Sequence, residues 1–418
     1  MKEYFLKKCK KFCMFPFVGY RDLHGYFSPC PIYWRDNTFN SDNKINDNVL
    51  NNLNSEEMKQ LRKEMITNAE KTPIFDKGCK ICKEHNDSGL LGLRNAGNVF
   101  LEKYFYEAMN NLNEDFTCKT PLLKFISITH NIVCNFKCKM CYPERSSKIL
   151  EEYNKNLIDD EKIDISFYNL TEEQKEKNLN LIFDEIRKCE YLYFGYSGEP
   201  FITYDHLKVL NNLIQEKNTD KTIIYHSNCS VLQYKQFDIL ERLSHFKKVI
   251  ILGSIDAVND HFKVIRPSPY NWDTVESNIL KIINSKNIVF NVYASVGILN
   301  IHHILDLHKY FIEKIGLDKN MILLNPIYNV LTAKTLPDIE KQLVIKKYKE
   351  HIEYLSGLVS CGLNFHYNTA EKEFTNFSNF LLKESHYKLQ DSIDEIKRLD
   401  KLRNTDTFKV VNYLNRFA

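Results

Sequence analysis

Residues 122–141 read Leu122-Leu-Lys-Phe-Ile-Ser-Ile-Thr129-His-Asn-Ile-Val-Cys134-Asn-Phe-Lys-Cys138-Lys-Met-Cys141. The opening run, Leu122–Thr129, is nearly continuous in apolar and β-branched residues, the pattern of a strand covered on both faces. The cysteines follow on the next loop, close enough in sequence for three thiolates to converge on one soft metal centre. Three ligands are one too few for a closed four-iron cluster, in which each iron normally has its own protein ligand. An iron left open is where chemistry rather than scaffolding is expected. Zinc is the alternative, with His130 just upstream as a fourth ligand.

Outward from this stretch a rhythm sets in. Further strand candidates are Tyr191–Tyr196, Thr222–His226, Lys248–Ser254, Ile288–Ser295 and Met321–Asn325, each separated from the next by a helical pattern. Thr171-Glu-Glu-Gln174 reads as a capping box, followed by Leu179, Ile182, Phe183 and Ile186 on one helix face. Leu207, Leu210, Leu213 and Ile214 give a second face, and Phe237, Leu240 and Leu243 a third. Trp272, Val275, Ile279 and Ile283 give a fourth, and Ile304, Leu307 and Phe311 a fifth. After Pro326 only helices are expected. This alternation predicts an α/β fold with a parallel sheet. Six βα units are too few for a closed eight-fold barrel and suit a partial, TIM-like (βα)6 barrel, whose active face lies where strands end and loops begin. The cysteine triad falls at that position, directly after the first strand.

Composition bounds the rest. A chain of 418 residues with 43% hydrophobic and 27% charged residues can bury a sizeable core. A formal net charge of +3 offers no single-sign field for nucleic acid or an anionic membrane. The Lys-rich N-terminus lacks the apolar stretch of a secretory signal, and no window approaches a membrane span, so a cytoplasmic location is expected. Twelve cysteines then point to metal or redox work rather than disulfides.

The cysteine spacing resembles that of the radical S-adenosylmethionine (SAM) enzymes, and four further stretches match their pattern in order. Gly195-Tyr-Ser-Gly198-Glu199-Pro resembles their Gly-Gly-Glu-Pro turn. Tyr225-His-Ser-Asn228-Cys229 stands where Thr-Asn-Gly is frequent. Gly253-Ser254-Ile-Asp256 is close to Ser-x-Asp, with Arg266 beyond, and Val296-Gly297-Ile-Leu-Asn300 is similar to the stretch packed on the adenine. The resemblance implies a [4Fe-4S] cluster on Cys134, Cys138 and Cys141 and SAM chelated to its open iron. It also implies SAM contacts from Met140, Gly198, Glu199, Asn228, Ser254, Asp256, Arg266, Gly297 and Asn300. Cys229 is a candidate hydrogen donor to a substrate radical.

Before the barrel, Cys13, Cys30, Cys79 and Cys82 make four more thiolates, enough for a complete site. The linking segment Asn54–Met65 resembles that of SPASM/twitch auxiliary-cluster modules, and the whole chain resembles twitch-type proteins that carry such a module in front. This implies a second [4Fe-4S] cluster, although four thiolates also suit a structural zinc. The expected division is an N-terminal cysteine-rich iron–sulfur module (1–95), a partial barrel (96–345) and C-terminal helices (346–418). Cys118, Cys189 and Cys361 read as small buried residues.

The resemblance implies a radical oxidoreductase or maturase that cleaves SAM to a 5′-deoxyadenosyl radical and takes hydrogen from a peptide or small-molecule substrate, giving oxidation, cross-linking or epimerisation. An external electron donor such as flavodoxin or ferredoxin is implied. The rival readings are an iron–sulfur electron carrier without SAM chemistry and a zinc-stabilised interaction module. No separate leader-peptide-binding domain is expected before the barrel.

Overall fold

The computed structural model describes residues 1–33, 44–67, 70–156, 162–164, 168 and 170–417. Parts of the Asn-rich stretch 37–54 and of the charged insertion 144–162 lie outside these residues.

The strands expected from the sequence form the body of one sheet. In chain order the strands among the described residues are β1 (Gly19–Leu23), β2 (Tyr26–Ser28), β3 (Phe125–Thr129), β4 (Tyr191–Phe194), β5 (Thr222–Ser227), β6 (Gln233–Tyr234), β7 (Phe237–Asp238), β8 (Lys248–Ser254), β9 (Ile288–Val296) and β10 (Ile322–Pro326). The main sheet runs β10-β9-β8-β5-β4-β3-β1-β2, while β6 and β7 make a small separate ribbon. From β10 through β3 to β1 every neighbour is parallel, and only β2 turns back antiparallel. The result is a mixed α/β fold with a partly barrel-like parallel sheet. Its strands are almost wholly buried, as the apolar runs required.

The helices return the chain between strands. Glu172–Lys188 starts on a complete capping box: Thr171 Oγ1 accepts from the Gln174 amide and Gln174 Oε1 accepts from the Thr171 amide. Its expected face, Leu179, Ile182, Phe183 and Ile186, is buried. Asp205–Gln215, Trp272–Ile283 and Ile304–Glu313 follow the same rule. The third expected helix differs, because Phe237 lies in β7 and the helix covers only Ile239–Leu243, anchored by Ile239 and Leu243. After β10 come Asp338–Ser356, Ala370–Leu381 and Leu389–Arg403, whose Tyr348, Phe374 and Phe377 are core residues. None of the described helices is long and apolar enough to cross a membrane.

The N-terminal segment contributes two strands that periodicity does not reveal. β1 reads Gly-Tyr-Arg-Asp-Leu, yet Arg21 and Asp22 are 2% and 0% exposed. Asp22 Oδ2 pairs with His130 Nε2 at 2.7 Å, and Asp22 Oδ1 accepts from the Gly25 amide. Buried polar partners, rather than apolar alternation, hold this strand against β3.

Candidate functional site

The triad loop begins where β3 ends and is bolted to two neighbouring segments by its backbone. Val133 carbonyl accepts from the Glu199 amide at 2.7 Å. The Lys137 and Lys139 amides donate to the Pro267 and Ile265 carbonyls at 2.8 and 2.9 Å, bracketing Arg266. Gly198 makes the first of these contacts possible. Its φ is +70°, and a Cβ there would stand 2.7 Å from the Val133 carbonyl oxygen.

Cys134, Cys138 and Cys141 are half-buried. Burial pushes the Cys134 thiol up to about 12, with the charges of Glu199 and Cys141 adding and the Phe136 amide opposing. Burial also raises Cys138, where Arg266 opposes and Cys141 and Cys134 add. The Arg266 charge acts on all three thiols. His130 does not complete a zinc site with them: its Nε2 is engaged by Asp22 and its side chain is fully buried. Among the described residues no three His, Cys, Asp or Glu side chains are gathered to hold a single metal ion.

The residues expected around SAM fall into two groups. Some brace the loop. Glu199 is 2% exposed and accepts from the Ser227 hydroxyl and from the Phe201 and Asn228 amides, so its carboxylate ties the Gly-Glu-Pro turn to the end of β5. Burial raises its pKa to about 7, against those three donors. Asn228 Nδ2 donates to Asn135 Oδ1 in the triad loop at 2.8 Å. Asn300 is wholly buried, donating to the Asp256 and Ser295 carbonyls and accepting from the Gly297 amide. Its amide is thus a scaffold rather than an open contact for an adenine.

Others keep open valence or space. Asp256 takes Arg266 Nη1 at 2.7 Å and the Ser295 amide at 2.8 Å. Arg266 Nε, however, is buried with no partner among the described residues, which leaves a donor for a carboxylate. Ser254 is half-buried where β8 ends. Met140 Sδ lies 3.3 Å from where a Cβ on Gly297 would be, so thioether and glycine share one wall. The Cys229 side chain is wholly buried, its thiol donates to the Ser227 carbonyl at 3.6 Å, and its φ of +58° lies in the left-handed region that favours glycine.

One support was invisible in the sequence pattern. Lys139, between the second and third cysteines, donates to Asp400, to Thr405 Oγ1 at 2.8 Å and to Thr407 Oγ1 at 2.5 Å. Arg403 forks onto Glu152 and also donates to the Lys137 carbonyl at 2.8 Å. The end of the helix Leu389–Arg403 thus clamps the back of the triad loop. A buried lysine inside a cysteine motif is a signal that a distant acid is needed.

At the other end of the sheet, Cys13, Cys30, Cys79 and Cys82 line one cavity with Phe15, Tyr33, Met65, Leu93 and Arg94. Burial raises all four thiols, Cys30 to about 12, and the charges of Cys30, Cys82 and Cys13 each act on Cys79. Arg94 opposes at Cys13, Cys79 and Cys82. The scattered cysteines stand apart: Cys118 and Cys189 are buried, whereas Cys361 is exposed and donates to Asp318 at 3.2 Å.

Residues 128–311 match the family model described as the radical SAM superfamily. The matched stretch begins in β3, ends within the helix Ile304–Glu313 and contains the triad. No curated protein matches the chain. Among solved structures it is similar to native anSMEcpe with bound AdoMet, at 15% identity over 69% of this chain and 99% of that one, with a TM-score of 0.39. It is also similar to native anSMEcpe with bound AdoMet and Cp18Cys peptide, at 14% identity over 69% and 99%, with a TM-score of 0.36.

Proposed function

We propose that the protein is a radical SAM oxidoreductase or maturase, with a SAM-binding [4Fe-4S] cluster on Cys134, Cys138 and Cys141 and a second cluster on Cys13, Cys30, Cys79 and Cys82. One observation carries this reading: within the matched domain, the loop bearing the three cysteines is hydrogen-bonded on both sides of Arg266, whose Nε is buried with no partner among the described residues. The donor chemistry fits, since three thiols without a fourth ligand suit a cluster with one open iron. A cluster so bound supplies reductive cleavage of SAM to a 5′-deoxyadenosyl radical.

The chain's own residues would position that chemistry. Arg266, oriented by Asp256, offers a guanidinium fork to the SAM carboxylate, with Ser254 alongside. Carbonyls of the Gly198–Glu199 turn accept from the ammonium, while the Glu199 carboxylate holds that turn against β5. Met140 and Gly297 form an apolar wall for the adenosyl part. The four-thiol site, closed and largely apolar, suits electron relay to or from the substrate. The division into 1–95, 96–345 and 346–418 follows these roles. Reductant would come from a flavodoxin or ferredoxin, and the reaction would be hydrogen abstraction from a peptide or small molecule.

The test is anaerobic reconstitution with iron and sulfide, then reduction with dithionite in the presence of SAM. We expect 5′-deoxyadenosine and methionine, and a cluster signal that changes when SAM is added. A filled cluster that neither responds to SAM nor yields deoxyadenosine overturns the reading in favour of an electron carrier.

A further inference from the structure

Two arginines packed on the Tyr196 ring have no carboxylate partner among the described residues. Arg21, on β1, is 2% exposed; its Nη1 donates to the Pro31 carbonyl at 2.7 Å, while its Nε and Nη2 are buried with no partner among the described residues. Its guanidinium carbon lies 4.2 Å from the centre of the Tyr196 ring. The Arg145 guanidinium carbon lies 4.5 Å from the same ring, and its Nη2 donates to Tyr196 Oη at 2.7 Å. Of the other arginines, Arg62 is wholly buried and donates to the Phe116, Pro16 and Leu53 carbonyls, while Arg94 lines the four-cysteine cavity. Arg266 is paired with Asp256 and Arg403 with Glu152. The largest charges acting on Arg21 are those of Tyr196, Cys30, Tyr193 and Arg145, and on Arg145 those of Tyr196, Cys141, Tyr142 and Tyr293.

Burying the Arg21 guanidinium with two donors unmet, and a second, half-buried guanidinium on the same tyrosine ring, is unfavourable unless an anion lies near. The place is also informative. Arg21 holds Pro31, next to Cys30, whereas Arg145 follows Cys141 on the short helix Pro143–Arg145. The pair therefore spans the space between the two cysteine sets. The Tyr193, His226 and Tyr293 rings continue that wall, with centroids 5.6 Å apart for Tyr193–His226 and 4.6 Å for His226–Tyr293. Phenol and imidazole edges beside a guanidinium pair suit a polar, negatively charged guest rather than an apolar one.

We propose that Arg21 and Arg145, both packed on Tyr196, bind an oxyanion of the substrate, a carboxylate or phosphate group, and hold it between the triad and the four-cysteine site. This deepens the proposed function, since it gives that enzyme a substrate class: molecules carrying an oxyanion a short distance from the carbon that loses hydrogen.

The test uses the full chain after anaerobic reconstitution, titrated by calorimetry at constant ionic strength with inorganic phosphate and, separately, with succinate. We expect saturable binding of at least one probe, the tighter one identifying phosphate or carboxylate as the group recognised. Binding should weaken ~10-fold or more in Arg21→Gln and in Arg145→Gln, the loss expected for a charge-assisted fork, with iron and sulfide content unchanged. Arg145 is half-buried, so Arg145→Gln reports even where Arg21→Gln fails to fold. Absence of saturable binding by both probes, or binding undiminished in Arg145→Gln, overturns the proposal. So does loss of iron in that variant, which would make the arginine a countercharge for an iron–sulfur group. Deoxyadenosine formation by the parent protein is scored separately. Anion binding without it leaves the site standing and removes the proposed function, and the reverse removes the site alone.

Discussion

The triad Cys134, Cys138 and Cys141 comes from one loop, whereas Cys13, Cys30, Cys79 and Cys82 are gathered from three separate segments by packing. The triad lies among charges, with Arg266, Asp256 and Glu199 acting on its thiols, and its sulfurs are half-buried. The second set has aromatic and aliphatic walls, and Arg94 is the cation acting on most of its thiols. Polar surroundings suit a site that must grip a charged, exchangeable ligand; apolar ones suit a group that stays put and passes electrons. The two sets are built from the same side chain and differ in what surrounds it.

The sharpest way to break this comparison is to remove one thiol from each set. Cys138→Ala should abolish deoxyadenosine formation and remove about four irons per chain, as read by product assay and iron analysis. Cys79→Ala should also remove about four irons, yet leave SAM cleavage while losing the substrate product. If the two variants behave alike, the sites do not have separate roles.

Much of this contrast could be foreseen for the triad and little for the second set, for a physical reason. The triad and its strand are local patterns along a parallel sheet, so periodicity places Gly198 and Asp256 just after strands, and the resemblance to radical SAM enzymes joins them with Arg266. The residues that hold the loop from behind are not local: Lys139 and Asp400 are 261 positions apart. β1 was hidden because Arg21 and Asp22 are polar and find buried partners only once folded. Phe237 misled because an apolar residue three before Leu240 suits either a helix or a short ribbon. Asn300 has the right position for a ligand contact, but nothing in sequence tells that its amide is satisfied by backbone.

Each set also has a glycine beside it, and these sharpen the comparison at smaller scale. A Cβ on Gly198 would strike the Val133 carbonyl at 2.7 Å and sit at φ +70°. Backbone cannot step aside there, so Gly198→Ala should cost more than ~2 kcal/mol, the left-handed penalty alone being ~1–2, and weaken SAM binding in a titration. A Cβ on Gly78, just before Cys79, would meet the Tyr33 ring at 2.1 Å. That ring is a wall of the four-cysteine cavity and is tethered through its hydroxyl to Glu57 at 2.9 Å. It can turn, so Gly78→Ala should cost ~1–2 kcal/mol in chemical denaturation and lower only the second iron complement.

The smallest expected effect lies behind the triad, at Cys229. The residue takes φ +58°, a region in which a side chain costs ~1 kcal/mol or more relative to glycine. Its thiol is wholly buried against the Ser227 carbonyl, and removing it forfeits apolar contact of about the same size. Cys229→Gly should therefore shift stability by less than ~1 kcal/mol, read from the midpoint of urea unfolding. A buried thiol is also a poor partner for a substrate radical. Product yield and deuterium incorporation from solvent should stay as in the parent, and their loss in a normally folded Cys229→Gly would restore the cysteine as the hydrogen donor.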